Sequence, residues 1–488
     1  MKKFNAEEKF YLRKTTVCGT AIAEYSVCSD PDDKYRVTPK TPLPVSVQLA
    51  GFLSRNVILG GGMSLTLTEG APETGNYIMI SARSLDMTSY SITVDANGNI
   101  YVKASAYSAE DAVEKLLEIL GASKEADKAV AKAVTEADSF SGKSEFSIPY
   151  TKEELYGAIK DAYSRDDMII TGCHCFNFEH ISNGTAMENT IETIQRATTY
   201  TPAFMEYDLG MYSSINTKNN GEDLLKDYDV SRVLAESMDH IARGGFVGVC
   251  AHIDNPVQLD QGCRGFIGSN ETFRELYTKG TELNKKLDLS NSVVLKFLKA
   301  YHDNGIPLLF RPLHEMTGDW FWWCIYQGSY GCEGKIDAEN WHNLWKYFHN
   351  YFGTENGLDN LIWVYSTAMK EADYPYPGDE YVDVVGCDWY TGANREVNAN
   401  NTYETLMSLG KPVSLTEFGF GGPNAAEAGY TCEVMLEDLK WMKESKYKMA
   451  FILVWSTHAA YAGMTKGDKF FEDPMIYDRN KMAEYWKK

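Results

Sequence analysis

Eight short apolar runs, separated by amphipathic stretches, constrain this chain more than any other feature of its sequence. They fall at residues 168–173, 203–207, 246–251, 307–310, 361–365, 382–387, 412–415 and 450–454. None alternates apolar with polar residues, so each reads as a strand buried on both faces, as a parallel sheet requires. Between them, apolar residues recur at helical spacing, at 187–199, 230–242, 292–304, 338–352 and 432–444. Eight strand–helix repeats spell an α/β fold, a (β/α)8 TIM barrel. A doubly wound sheet is the alternative, and the count of eight favours the barrel. A barrel takes about 250 residues, so a chain of 488 leaves room for one more module.

That module is read in residues 1–121. Alternating runs at 77–80 and 91–94 lead into Asp95-Ala-Asn-Gly-Asn99, a hairpin signal, and a returning strand at 100–103. Ser108 then caps a helix whose apolar positions are Ala112, Val113, Leu116, Leu117 and Leu120, and Gly121 closes it. The unit is a small α+β accessory domain without a cluster of catalytic residue types. Residues 122–145, rich in Ala, Lys, Glu, Asp and Ser, read as a linker, and 146–488 as the barrel.

The chain carries 68 Asp+Glu against 47 Lys+Arg, a net charge of −21. Such a surface repels nucleic acid and anionic membranes. It suits a neutral partner such as a polysaccharide, or serves solubility alone. No stretch reaches the roughly 20 apolar residues of a membrane span. The opening MKKFNAEEKFYLRK lacks the apolar core of a signal peptide, which predicts a cytoplasmic protein, or a secreted one from which a leader has been removed. Ten cysteines stand at 18, 28, 173, 175, 250, 263, 324, 332, 387 and 432, with no CxxC pair and no zinc spacing. They predict neither a disulfide framework nor a metal site, although Cys324 and Cys332 are close enough to clip a loop. Cys173, Cys250 and Cys387 sit in apolar runs, as buried free thiols do. No cofactor is predicted, and the oligomeric state is open.

In a TIM barrel the reactive groups gather at the C-terminal ends of the strands. Those ends read Cys173-His174-Cys175, Glu206-Tyr207-Asp208, His252-Ile253-Asp254-Asn255, Arg311-Pro312-Leu313-His314-Glu315, Asp388-Trp389-Tyr390, Thr416-Glu417-Phe418-Gly419 and Trp455. Two carboxylates stand out. Glu315 precedes the aromatic cluster Trp320-Phe321-Trp322-Trp323, and Glu417 ends the seventh strand, across the barrel mouth from the fourth. Splitting a glycosidic bond needs one carboxyl to protonate the leaving oxygen and a second carboxylate to attack, or to activate water. Apolar surroundings keep the first protonated near neutral pH. An ion pair with Arg311 is the plainer reading of Glu315. The Trp-rich second half offers flat surfaces for sugar rings, or simply an aromatic core.

The segment Phe310-Arg-Pro-Leu-His-Glu-Met-Thr-Gly-Asp-Trp-Phe-Trp-Trp323 resembles the acid/base motif of glycoside hydrolase family 26, Arg-Pro-hydrophobic-His-Glu-Met-Asn-Gly-x-Trp-Phe-Trp-Trp. Thr317 stands where Asn is usual. Residues 415–419, 251–256 and 358–366 resemble the family's nucleophile strand, third-strand end and fifth strand, and the likeness covers roughly 146–488. The resemblance implies a retaining hydrolase of the β-mannanase kind, cleaving β-1,4-mannosidic bonds in mannan, glucomannan or galactomannan. It implies Glu315 as acid/base, Glu417 as nucleophile and Tyr390 as the group that orients the nucleophile. His314 would bind sugar beside the acid/base, His252 and Trp455 would line the glycone side, and Trp320 would contact the leaving sugar. Asp388 and Arg311 would support them from behind. His174 is either a sugar contact or structural, and Trp322 and Trp323 either core or subsite. Alternatives are a mixed-linkage β-1,3-1,4-glucanase or β-1,3-xylanase of the same family, or a catalytically silent carbohydrate-binding barrel. Residues 17–26, 90–94 and 109–120 resemble the small α+β domain preceding the barrel in hexosaminidase and α-glucuronidase families, which implies a non-catalytic module.

Overall fold

The computed structural model describes residues 3–33, 43–175, 194–195, 198–209, 230–258, 261–327, 334–368, 375–391, 402–420, 429–455 and 466–488. The chain divides into two compact units, one of Met1–Ser147 with Asp227–Asp239, the other of Ile148–Lys226 with His240–Lys488.

The first unit is α+β. Its larger sheet runs, in spatial order, Phe140–Lys143, Ser89–Val94, Ile100–Lys103, Tyr77–Ser81, Ser26–Ser29 and Thr66–Thr68. Helices Val45–Asn56 and Ala109–Ile119 share its core, where Leu49, Leu53, Val113 and Leu116 are buried with Val27, Ile78, Ile80 and Val102. The expected hairpin turn is present. Asp95 Oδ1 accepts the amides of Asn97 and Asn99 at 2.9 and 2.8 Å, and Gly98 takes φ +85° at no steric cost. Ser108 stands at the helix N-cap, but its hydroxyl donates to Ser89 O at 3.1 Å rather than accepting from the first turn.

The stretch 122–145 is not a linker. Ala133–Val134 pairs in parallel with Thr16–Val17, and Phe140–Lys143 pairs antiparallel with Ser89–Val94. An edge strand needs only its backbone groups and a few side chains to pack, and Phe140 supplies one against Tyr90, ring to ring at 6.1 Å. Its small polar neighbours therefore hide a strand. Asp227–Asp239 joins this unit through Ser231, whose hydroxyl accepts from Ala106 N–H at 2.8 Å and contacts Ala82 O at 3.2 Å.

The second unit is a closed barrel of eight parallel strands: β1 Ile169–Cys175, β2 Phe204–Leu209, β3 Phe246–Ala251, β4 Leu308–Pro312, β5 Leu361–Ala368, β6 Val384–Thr391, β7 Val413–Phe420 and β8 Phe451–Val454. Closure is made by β1, which pairs with both β2 and β8. Each expected run is a strand. Every residue of β1, β2, β3, β4, β5 and β8 is buried. This is the physical reason the runs do not alternate: one face fills the barrel and the other meets helices.

The helices follow capping signals. Thr151, Ser269, Thr281 and Thr431 each accept an amide from the first turn of helices Lys152–Ser164, Asn270–Tyr277, Glu282–Asp303 and Cys432–Glu444. The helix expected at 292–304 thus begins earlier, at Glu282. Its buried face includes Asn284, Ser290 and Asn291, polar residues that break the apolar spacing. Helix Val230–Ala242 is as expected, and Ala338–His349 runs on into a π-helical turn, Asn350–Glu355. The helix expected at 187–199 falls mostly outside the described residues, as does Cys332; Cys324 is a free, buried thiol. No helix among the described residues is long and apolar enough to cross a membrane.

Candidate active site

One buried cation organises the mouth of the barrel. β4 carries Arg311 into its centre, with no solvent exposure. Arg311 Nε and Nη2 grip Glu206 of β2 at 3.1 and 2.7 Å. Nη2 also reaches Glu417 Oε1 of β7 at 3.1 Å, and Nη1 reaches Asp388 Oδ2 of β6 at 3.3 Å. Burial opposes the charge on Arg311, but the surrounding anions outweigh it and hold the guanidinium firmly protonated. Burial likewise pushes Glu206 up, yet Arg311 and His174, whose Nε2 lies 3.1 Å away, hold its carboxyl below the usual range. For Asp388 burial wins and its proton affinity rises. Arg311 and the hydroxyls of Thr416 and Ser366, at 2.7 and 2.9 Å from Oδ1, offset it only in part.

The chain delivers Glu315 through a strained turn. Leu313 and Glu315 take φ 51° and 55°, left-handed values that cost side-chain-bearing residues about 1–3 kcal/mol each. The surroundings fix that turn. Glu315 N–H donates to Ser366 O of β5 at 2.9 Å, and Trp323 Nε1 donates to His314 O at 2.6 Å. Trp322 Nε1 donates to Ile253 O at 2.7 Å. Both indoles are fully buried, so Trp322 and Trp323 are pegs of the core. Trp320 instead donates Nε1–H to Glu315 Oε2 at 2.6 Å. Burial, reinforced by the charge of Asp388, pushes Glu315 up to about 8, with the Trp320 donor and Arg311 opposing.

Glu417 is buried beside it. Tyr390 donates to Oε2 at 2.7 Å, opposite the Arg311 contact on Oε1. Burial and the Asp388 charge push Glu417 up as well. When two carboxyls compete for one proton, the charge settles where more donors face it. Glu417 has a guanidinium and a phenol, and Glu315 a single indole, so these donors favour the charge on Glu417 and the proton on Glu315. One oxygen from each of Glu315, Asp388 and Glu417 lies within 4.8 Å of the others. A register shift between Cys387 and Asp388 sets Asp388 opposite Glu417.

The histidines are ordered from behind. His252 Nδ1 lies 2.7 Å from Asp208 Oδ1. Burial holds His314 well below the usual imidazole range and the Cys250 thiol well above its own. A protonated thiol 3.4 Å from His314 Nδ1 donates to it, leaving the His314 proton on Nε2, 4.0 Å from Glu417 Oε1. His174 packs on Trp455 with ring centroids 4.2 Å apart, and His252 meets His314 edge to face at 4.5 Å.

The ten residues singled out from sequence, His174, His252, Arg311, His314, Glu315, Trp320, Asp388, Tyr390, Glu417 and Trp455, are therefore linked by contacts into one cluster. Sequence reasoning missed Glu206, Asp208, Cys250, Ser366 and Thr416 as members. Glu206 and Asp208 carried a signal, since both end a barrel strand. Thr416 also stood in a strand-end segment, but Ser366 carried no signal, because a small hydroxyl residue in an apolar strand looks like a spacer. Gly386 makes room for one of them: a Cβ there would stand 2.3 Å from Thr416 Cγ2.

A closed parallel barrel whose mouth holds two neighbouring glutamates is the framework of a glycoside hydrolase. The family model for glycosyl hydrolase family 26 matches residues 164–481, and the chain belongs to that family. A mannan endo-1,4-β-mannosidase of Bacillus subtilis (strain 168) is 29% identical over 296 residues, 59% of this chain and 75% of that protein. Another Bacillus subtilis mannan endo-1,4-β-mannosidase is 33% identical over 182 residues, 37% of this chain and 49% of that one. A solved Bacillus subtilis mannanase shares the fold, with TM-score 0.55 and 24% identity over 67% of this chain and 92% of its own.

Proposed function

We propose that this chain is a retaining β-mannanase, hydrolysing β-1,4-mannosidic bonds in mannan, glucomannan or galactomannan by double displacement. The observation that carries the mechanism is the approach of Glu315 and Glu417 oxygens to within 4.8 Å. Pairs in which one carboxylate attacks directly stand about 5–5.5 Å apart, whereas pairs that admit a water stand roughly 6.5–9.5 Å apart. The family membership and the names of the relatives support the substrate class.

In this reading Glu417, charged and held by Arg311 and Tyr390, attacks the anomeric carbon. Glu315 gives its proton to the departing glycosidic oxygen, which leaves a glycosyl–Glu417 ester. Glu315, now ionised, takes a proton from water as that water attacks the anomeric carbon, and Glu417 leaves with the electron pair of its bond to that carbon. Tyr390 aids this departure by donating to the oxygen on which charge returns. His314 Nε2–H, His252 and Trp455 meet the glycone, and Trp320 the leaving sugar.

The test is proton NMR of early products from a soluble mannan. The β anomer is to appear first and to mutarotate later. An α anomer in the first minutes would remove Glu417 from its role, and release from β-glucan but not from mannan would overturn the substrate.

A further inference from the structure

We infer that Cys250, His252 and His314 form a binding site for a thiophilic divalent ion such as Zn2+, whose occupation perturbs the sugar contact made by His314. Each residue offers one ligand atom, and the three atoms lie within 4.8 Å of one another. The Cys250 Sγ to His314 Nδ1 distance is 3.4 Å. With Zn–S near 2.3 Å and Zn–N near 2.0–2.1 Å, a tetrahedral ion spaces sulfur and nitrogen about 3.6 Å apart. The pair therefore stands close to ligating distance before any ion arrives.

The hydrogen bonds also leave the lone pairs in the right places. Asp208 holds His252 Nδ1 at 2.7 Å, so the proton sits there and Nε2 is the ligand atom. Nε2 of His252 is buried and has no hydrogen-bond partner. A carboxylate behind an imidazole is the support that metal-ligating histidines use. His314, with its proton on Nε2, presents Nδ1 to the sulfur. Binding replaces the thiol proton, which passes to solvent, and gives a thiolate–metal bond. The fourth position remains for water.

Electrostatics favour this trio over its neighbours. Two other groups of ligating side chains among the described residues are His174 with Glu206 and Cys250, and Glu315 with Asp388 and Glu417. Arg311 contacts Glu206, Asp388 and Glu417 directly, so a cation there meets a guanidinium, whereas its charge reaches Cys250 and His314 through space. The trio faces Asp208 on one side and Glu417 behind His314 on the other. The ion would sit on the Nδ1 edge of His314, and its opposite Nε2–H edge lies 4.0 Å from Glu417 Oε1, so occupation acts on the glycone contact through this imidazole. The inference does not depend on which polysaccharide is cleaved.

The experiment titrates the reduced, chelator-stripped full chain with CoCl2. A single equivalent is to raise a thiolate-to-cobalt band in the near ultraviolet together with visible bands of tetrahedral strength, and ZnCl2 is to remove both. Cys250→Ala is to lose the near-ultraviolet band, and Asp208→Asn is to weaken cobalt binding about 10–100-fold. The band surviving in Cys250→Ala, or no band in the native protein, overturns the site. X-ray absorption of the zinc-loaded native chain needs no variant to fold. One sulfur with two imidazole nitrogens is the expected shell. A shell of two or three sulfurs overturns it in favour of Cys173, Cys175 and Met205, whose sulfurs lie 3.2–3.9 Å apart. A shell of oxygens alone also overturns it. Zinc at saturation is to slow glycoside turnover, and unchanged turnover of the zinc-loaded chain overturns the effect on the His314 sugar contact. A chain that binds cobalt as described but leaves mannan intact refutes the mannanase reading and not this one.

Discussion

Tyr390 donates its phenol proton to Glu417 Oε2 at 2.7 Å, while Arg311 Nη2 occupies Oε1 at 3.1 Å. The two donors fix the carboxylate plane and leave its charge stabilised from both ends. Tyr390→Phe removes one donor without removing the ring. A hydrogen bond to a charged group contributes about 1.5–3 kcal/mol, so kcat is expected to fall about 10–150-fold with KM little changed. Steady-state kinetics on a soluble mannan check it, and an unchanged kcat would detach Tyr390 from the nucleophile.

Glu315→Ala and Glu417→Ala are each expected to abolish polysaccharide turnover while thermal unfolding stays cooperative. General acid catalysis contributes about 10²–10⁴-fold, and an aryl glycoside with a good leaving group needs little of it. Glu315→Ala should therefore recover its first step on such a substrate, seen as a burst of released phenol, and Glu417→Ala should not. Equal recovery in both variants would contradict the division of roles.

Glu315, raised to about 8, must be protonated to act as acid. Activity is then expected to decline as pH rises through that region, seen as the alkaline limb of kcat/KM. Trp320 donates to the carboxyl at 2.6 Å and so favours its ionised form. Trp320→Phe removes that donor, which raises the Glu315 pKa, and the alkaline limb is expected to shift to higher pH. A shift to lower pH would show that the indole does not act on this carboxyl.

Arg311→Met leaves Glu206, Asp388 and Glu417 buried without their shared cation. Removing one partner of a buried pair costs about 3–5 kcal/mol, so a marked fall in Tm at neutral pH is expected. Glu206 has a depressed pKa in the folded chain, so its stabilisation is present above the ordinary carboxyl range and is lost as pH falls through the depressed value. The gap between native protein and variant should narrow in acid. Melting curves across pH 3–8 measure it, and a gap that widens in acid would contradict the assignment.

The repeating apolar runs were enough for the barrel, because a strand buried on both faces cannot hide its composition. β3 matches its expected run of 246–251 from end to end. Polar residues at the strand ends were enough to nominate Glu315 and Glu417, because the fold puts those ends at one mouth. Local sequence misled where side chains were small or polar. Phe140–Lys143 read as linker because an edge strand is held by its backbone, and helix Glu282–Asp303 looked shorter because Asn284 and Asn291 occupy its buried face.

Only the tertiary structure decided the state of each acid. Glu315 and Glu417 are the same residue type; their flanking motifs nominated Glu315 as the acid, but the groups that set each proton affinity come together only in the folded chain. The difference between them arises mainly from groups distant in the chain, Arg311 and Tyr390 around Glu417 and the field of Asp388 on Glu315, with the neighbouring Trp320 as the one local donor to Glu315. The left-handed backbone of Leu313 and Glu315, the register shift that sets Asp388 opposite Glu417, and Gly386 yielding space to Thr416 are likewise properties of packed neighbours. Sequence determined which residues reach the barrel mouth, because strand periodicity is local. The protonation of those residues depends on burial and through-space charge, which exist only once the barrel has closed.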